Sequence, residues 1–177
     1  DVRQVVLESC RFIGPLKAGI ELTSSPWNSD VEIRHCLFHD MATGIHFSGT
    51  RQDVQRIVIV NNTFHRVQRG ILFYQMPQEG SSGLLIAHNL FSNVTVSEVS
   101  SSDEWEAERE QSLLEGTEAA RNNWSDREGG EDEAGTIDIF GDDGRRGIET
   151  VPFASLDPTA SNFLKPSDPS LGNGVKS

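Results

Sequence analysis

Apolar residues in the first half of the chain come in short bursts of alternation, and the bursts recur in the same wording. "VEIRHCLFHDMATGIHF" (31–47) and "IVIVNNTFHRVQRGILF" (57–73) both read apolar–x–apolar, two more residues, Cys or Asn, one residue, Phe, then Gly-Ile-x-Phe after a short gap. Aligned on the phenylalanine, Phe12, Phe38, Phe64 and Phe91 stand 26, 26 and 27 residues apart. Two places earlier are Cys10, Cys36, Asn62 and Asn89; Val5, Val31, Ile57 and Leu84 lie five places before those. The pairs Gly19-Ile20, Gly44-Ile45 and Gly70-Ile71 follow, each with an apolar residue two places on: Leu22, Phe47 and Phe73. Alternation at period two, broken by Gly, Asn, Ser or Pro, predicts strands rather than helices.

A unit of this length with two or three short strands cannot close a core alone, but it can coil once and stack on its neighbour. Parallel stacking at about 4.8 Å turns each aligned position into a ladder of like side chains. Phe and Ile/Val/Leu ladders then fill the interior, and Asn62 over Asn89 predicts an internal asparagine ladder bonded to itself or to the turn backbone. Propeller blades and sandwiches need longer, four-stranded units, and the Leu-x-x-Leu-x-Leu skeleton of leucine-rich repeats is missing.

The fourth coil is interrupted. Val67 leads to Ile71 in four residues, whereas Val94 meets no matching isoleucine until "GTIDIF" at 135–140, which places Ile137 and Ile139 over Ile71 and Phe73. Residues 97–135 therefore read as an insertion between coils at 1–96 and 136–147. Ser101 to Glu104 has the form of a capping box and Gly116 of a C-cap, predicting a short helix at 103–115 with Trp105 and Leu113 on one face. Residues 148–177, rich in proline and without register, read as a tail that packs along the coil or covers its end.

Charge sharpens this division. The net charge is −12, and residues 97–135 carry thirteen Asp/Glu against three Arg, hence −10 of it. No basic stripe offers itself to nucleic acid, and no apolar run approaches the ~20 residues of a membrane helix. A chain that opens inside a repeat reads as part of something longer.

On these residues the chain resembles the right-handed parallel β-helix (pectate-lyase-like) superfamily over roughly residues 2–147. "NNTFHRVQRGILFYQMP", "NNWSDREGG", "GRRGIETVPFAS" and "DPTASNFLKPSDPSL" are similar to the C-terminal β-helix region of large bacterial multidomain proteins, some of which carry a Ser/Thr protein kinase domain. The resemblance implies an all-β fold: a single-stranded right-handed parallel β-helix of about 4–5 coils with an acidic, partly helical insertion and an irregular C-terminal tail. It also implies an accessory domain. No kinase chemistry carries over, because Gly-x-Gly-x-x-Gly is missing and "FHRVQ" lacks the aspartate of His-Arg-Asp.

A lyase of this class needs clustered carboxylates for Ca²⁺ and a basic residue to abstract the proton. The aligned outward positions offer only Glu32 beside Val58 and Leu85, and Glu21 beside His46 and Leu72, so no carboxylate ladder forms. His39, Asp40, His65 and Arg66 form a polar cluster that the register predicts, either a small metal or acid/base patch or simply polar turn residues with a cross-coil ion pair. Trp27, Arg51 and Tyr74 share a flank where aromatic rings could stack on sugars. Cys10 and Cys36 occupy one inward position a coil apart, as a disulfide or as small apolar thiols. No cofactor or metal is called for. The readings left are a non-catalytic binding scaffold, with carbohydrate or a basic protein surface as partner, and a polysaccharide-processing enzyme.

Overall fold

The computed structural model describes residues 3–23, 28–48, 54–73, 82–101, 117–120 and 151–167. Two parallel sheets share the work. The first has the order β1 (Arg3–Glu8), β4 (Asn28–Arg34), β6 (Val54–Val60), β8 (Ser82–Ala87), β11 (Thr117–Ala120). The second has the order β10 (Ser97–Ser101), β7 (Thr63–Phe73), β5 (Leu37–Ser48), β2 (Arg11–Ile13), with β3 (Ala18–Thr23) also on β5 and β9 (Leu90–Ser92) also on β7. Every strand pairs in parallel with its counterpart one coil away, as in Val5↔Val31↔Ile57↔Leu84 and Phe38↔Phe64. The expected all-β parallel helix is what the chain builds.

Each coil turns on single residues in the left-handed backbone region. Three columns of them run up the structure: Gln4, Asp30, Arg56 and Gly83; Ser9, His35, Asn61 and His88; Gly14, Asp40, Arg66 and Asn93. One left-handed residue reverses the alternation of side chains, so a strand can bend sharply while keeping its apolar face inward. β5 bends this way at Asp40 and β7 at Arg66; their leading halves pair with β2 and β9, their trailing halves with β3 and β10.

The interior is a stack of rings. Phe12, Phe38, Phe64 and Phe91 lie with centroids 5.1, 4.8 and 4.8 Å apart and planes within 7° of parallel, and Phe47 stacks on Phe73 at 4.5 Å. Offset stacks of this kind add about 0.5–1.5 kcal/mol per pair beyond burial. The glycines of the Gly-Ile pairs exist for these rings: a Cβ on Gly19, Gly44 or Gly70 would lie 2.5–2.8 Å from Phe38, Phe64 or Phe91 of the next coil.

The asparagine ladder is complete. Asn62 Nδ2 donates to Ile33 O (2.9 Å) and to Asn89 Oδ1 (3.0 Å), Asn62 Oδ1 accepts from the Cys36 amide (2.9 Å), and Asn89 Nδ2 donates to Ile59 O (2.8 Å). Both side chains are fully buried, so these bonds satisfy groups that water cannot reach.

One expectation is corrected. Val99 lies over Ile71 and Ser101 over Phe73, the places expected of Ile137 and Ile139. Fourth-coil pairing resumes at Ser97, three residues after Val94, and a further strand begins at Thr117, paired with Leu84. Val99 and Ser101 lack the Gly-Ile-x-Phe wording that marks these places in the other coils, and Glu98 stands where those coils have glycine. Counted from Thr117, Asn122 and Trp124 stand at the spacings of Asn89 and Phe91 from Leu84, a further repeat in the sequence that the acidic composition masks. The helix expected at 103–115 lies outside the described residues, as do Ile137 and Ile139. Among the described residues no helix is long and apolar enough to cross a membrane.

Candidate functional site

The polar cluster assembles on the outward face of the second sheet. β5 and β7 place His39 over His65, their imidazoles stacked at 5.3 Å and 3° from parallel. At the next position the left-handed corners hold Asp40 beside Arg66, whose Nε donates to Asp40 Oδ1 at 2.9 Å. The other carboxylate oxygen, Oδ2, lies 3.1 Å from His39 Nε2. His65 Nδ1 meets Ser92 Oγ at 3.2 Å. All four residues named from the register are therefore brought together.

What closes over them is residues 151–167. This arm folds on itself, with Ala154 N donating to Lys165 O (2.8 Å) and Ser167 N to Pro152 O (2.8 Å). Phe163 meets His39 ring to ring at 5.2 Å and 87°, and Phe153 meets His65 at 4.9 Å and 71°. Phe163 and Leu164 pack on Leu37, with Phe153 alongside, as a satellite core on the outside of the coil. Arg11, one coil lower, anchors the arm by donating to Ala160 O (3.3 Å) and Ser161 O (3.2 Å). Outward residues of a β-helix usually meet water; here His39 and His65 keep only 6% and 8% of their surface.

The electrostatics follow from that cover. Burial pulls the His39 pKa below the ordinary 6.5; Asp40 opposes the shift and Arg66 reinforces it. Its Nδ1 is buried without a hydrogen-bond partner, which suits a neutral ring that donates from Nε2 to Asp40. Parallel stacked imidazoles hold their in-plane lone pairs side by side rather than converging, the wrong arrangement for two ligands of one ion. No group of three or more His, Cys, Asp or Glu that could hold a metal occurs among the described residues.

Beside the cluster runs an open groove of ≈ 530 Å³ along the third column of corners, with Leu16, Asp40, Met41, Arg66, Gln68 and Asn93 among its walls. The other outward ladders match the register: Glu32 beside Val58, and Glu21 beside His46, whose pKa burial also lowers. Arg34 links Glu8 and Glu32 at 3.1 and 2.9 Å, and Arg56 pairs with Asp30. Cys10 and Cys36 are free thiols. Trp27, Arg51 and Tyr74 lie outside the described residues. Sequence reasoning missed the partnership between the histidines and the arm, since nothing in the repeat register ties Phe153 or Phe163 to any coil.

No curated protein and no solved structure matches the chain. A family model described as "Right handed beta helix region" matches residues 1–127, which takes in the four phenylalanine rungs, the asparagine ladder and β11. By that match and by its stacked parallel coils, the chain belongs to the right-handed β-helix family.

Proposed function

We propose that this chain is a non-catalytic β-helix scaffold and binding module, an accessory domain of a larger bacterial protein, with a Ser/Thr protein kinase as one candidate parent. The observation that carries the reading is the covering of the His39 and His65 rings by the chain's own arm, with Asp40 and Arg66 paired to each other. Each of these side chains already has a partner: Asp40 bridges His39 and Arg66, His65 meets Ser92, and Phe153 and Phe163 cover both rings. General acid–base groups must reach a substrate proton within hydrogen-bond distance; these reach one another. Rigidity argues the same way, because ladders of rings and buried amides suit a spacer that presents a surface. The groove beside Arg66 is the concave part of that surface, and carbohydrate or a basic protein surface are the partner classes in view.

The competing reading is a polysaccharide-processing, lyase-like domain of the pectate-lyase-like superfamily, working on the flank of Trp27, Arg51 and Tyr74. Incubating the purified chain with acidic polysaccharides and Ca²⁺, and following the ultraviolet absorbance of unsaturated ends, separates the two. No absorbance is expected above a heat-denatured control. A rise that Arg51→Ala abolishes would replace the scaffold reading with the enzymatic one.

A further inference from the structure

Cys10 and Cys36 hold the rung that Asn62 and Asn89 occupy in the next two coils, and the first of them belongs to the least covered coil. The sulfur of Cys36 reaches back across the gap. Its single S–H has two acceptors in reach, Leu7 O of the first coil at 3.4 Å and Arg34 O of its own coil at 3.3 Å. The sulfur of Cys10 donates to Glu8 O, the neighbouring carbonyl, at 3.5 Å. The two backbones are tied at this point by Leu37 N donating to Cys10 O at 2.9 Å. Both thiols thus sit at the same corner of adjacent coils, Cys36 buried and Cys10 half-buried.

We propose that Cys10 and Cys36 are a redox-responsive dithiol, which a low-molecular-weight disulfide such as oxidised glutathione converts into a cross-coil disulfide clipping the first coil to the second. Neighbouring coils bring Cα atoms to about 4.8 Å, inside the span a disulfide accepts, while the Cβ atoms must close to about 3.5–4.5 Å. That closure asks the first coil to shift toward the second at this corner. Leu7, Phe12 and Leu22 are only partly buried, whereas their counterparts Ile33, Phe38 and Phe47 are 0–1% exposed. The reaction proceeds by exchange. The thiolate of the more accessible Cys10 attacks one sulfur of oxidised glutathione, forming a mixed disulfide and releasing one glutathione thiolate. Cys36, whose thiol burial pushes upward in pKa, then loses its proton and attacks the Cys10 sulfur, expelling the second glutathione. The protein gives up two protons and two electrons; oxidised glutathione becomes two molecules of glutathione.

The test treats the native chain with oxidised glutathione, then reads intact mass, free thiols under denaturing conditions and amide exchange. The expected product is monomeric, two hydrogens lighter than the starting chain and without titratable thiols. Its β1–β3 amides exchange about tenfold more slowly, as expected when a local opening is restrained, and dithiothreitol reverses all of this. Cys36→Ser is expected to stop at a glutathione adduct on Cys10. If the unsubstituted chain also stops at that adduct, keeps both thiols, or forms only disulfide-linked dimers, the proposal is wrong.

Discussion

Gly44 sits where two coils approach closely, and replacing it by alanine is a severe test of the role given to the stacked rings. An added Cβ would lie 2.5 and 2.6 Å from two carbons of the Phe64 ring and 2.7 Å from the carbonyl oxygen of Gly70. All three distances are shorter than any tolerated contact, and one partner is backbone held by parallel pairing, so the ring and the coil must both move. Phe64 is fully buried between Phe38 and Phe91, which leaves it no free direction. Overpacking of this kind costs about 1–3 kcal/mol, and a site pinned by both ring and backbone belongs at about 3 kcal/mol. For a chain of this length that corresponds to a fall of about 6–12 °C in melting temperature. Urea denaturation of Gly44→Ala, Phe64→Leu and the double variant measures the coupling. The smaller leucine gives the new methyl room, so the double variant is expected to cost about 1 kcal/mol less than the sum of the singles, the Gly70 carbonyl keeping the remainder. A Gly44→Ala cost below about 0.5 kcal/mol, or strict additivity, would refute the claim that glycine is there for the neighbouring coil's ring.

Three further perturbations address other parts of the structure. Asn62→Ala leaves the Cys36 amide and the Ile33 carbonyl buried without their side-chain partners, and should lower stability by about 3 kcal/mol in urea denaturation. Phe163→Ala removes the ring that covers His39 and Leu37, about 2 kcal/mol by area returned to water; amides of 153–166 should exchange faster while those of β5 and β7 keep their protection. Acid should weaken the fold through His39 and His46: burial lowers both pKa values, so the unfolded chain binds more protons below the ordinary 6.5. That contribution is whole above pH 6.5 and declines as pH falls below it; the urea midpoint followed from about pH 8 to about pH 5 checks it, and His39→Gln should flatten part of the slope.

Much of the coil was legible because a ladder needs the same residue type at the same place in every turn. Phe38 over Phe64, Asn62 over Asn89, His39 over His65 and Asp40 beside Arg66 all follow from counting. Counting fails where a rung is filled by a different residue type. Val99 and Ser101 hold the fourth-coil places of Ile71 and Phe73 with neither glycine nor phenylalanine to mark them, so register passed to the more familiar "GTIDIF". The left-handed corners were equally hidden, since Gln4, Arg56 and Arg66 are not residues that advertise positive φ. Their conformation is imposed by the parallel pairing on either side, with local propensity overruled.

The amino-acid order alone thus determines the architecture and the neighbours along the axis, because interior shape repeats every coil and only matching side chains stack. It does not determine what lies across the outside of the coil. The meeting of Phe153 and Phe163 with His65 and His39, and of Arg11 with the 160–161 carbonyls, joins residues about 90 to 150 positions apart by non-periodic contacts. Those depend on where an irregular arm comes to rest, and so on the apolar surface that Leu37 and the stacked imidazoles present once the coil has formed. Tertiary structure therefore decided whether the outward histidines face solvent or carry the arm, and burial beneath two phenylalanines made them the latter.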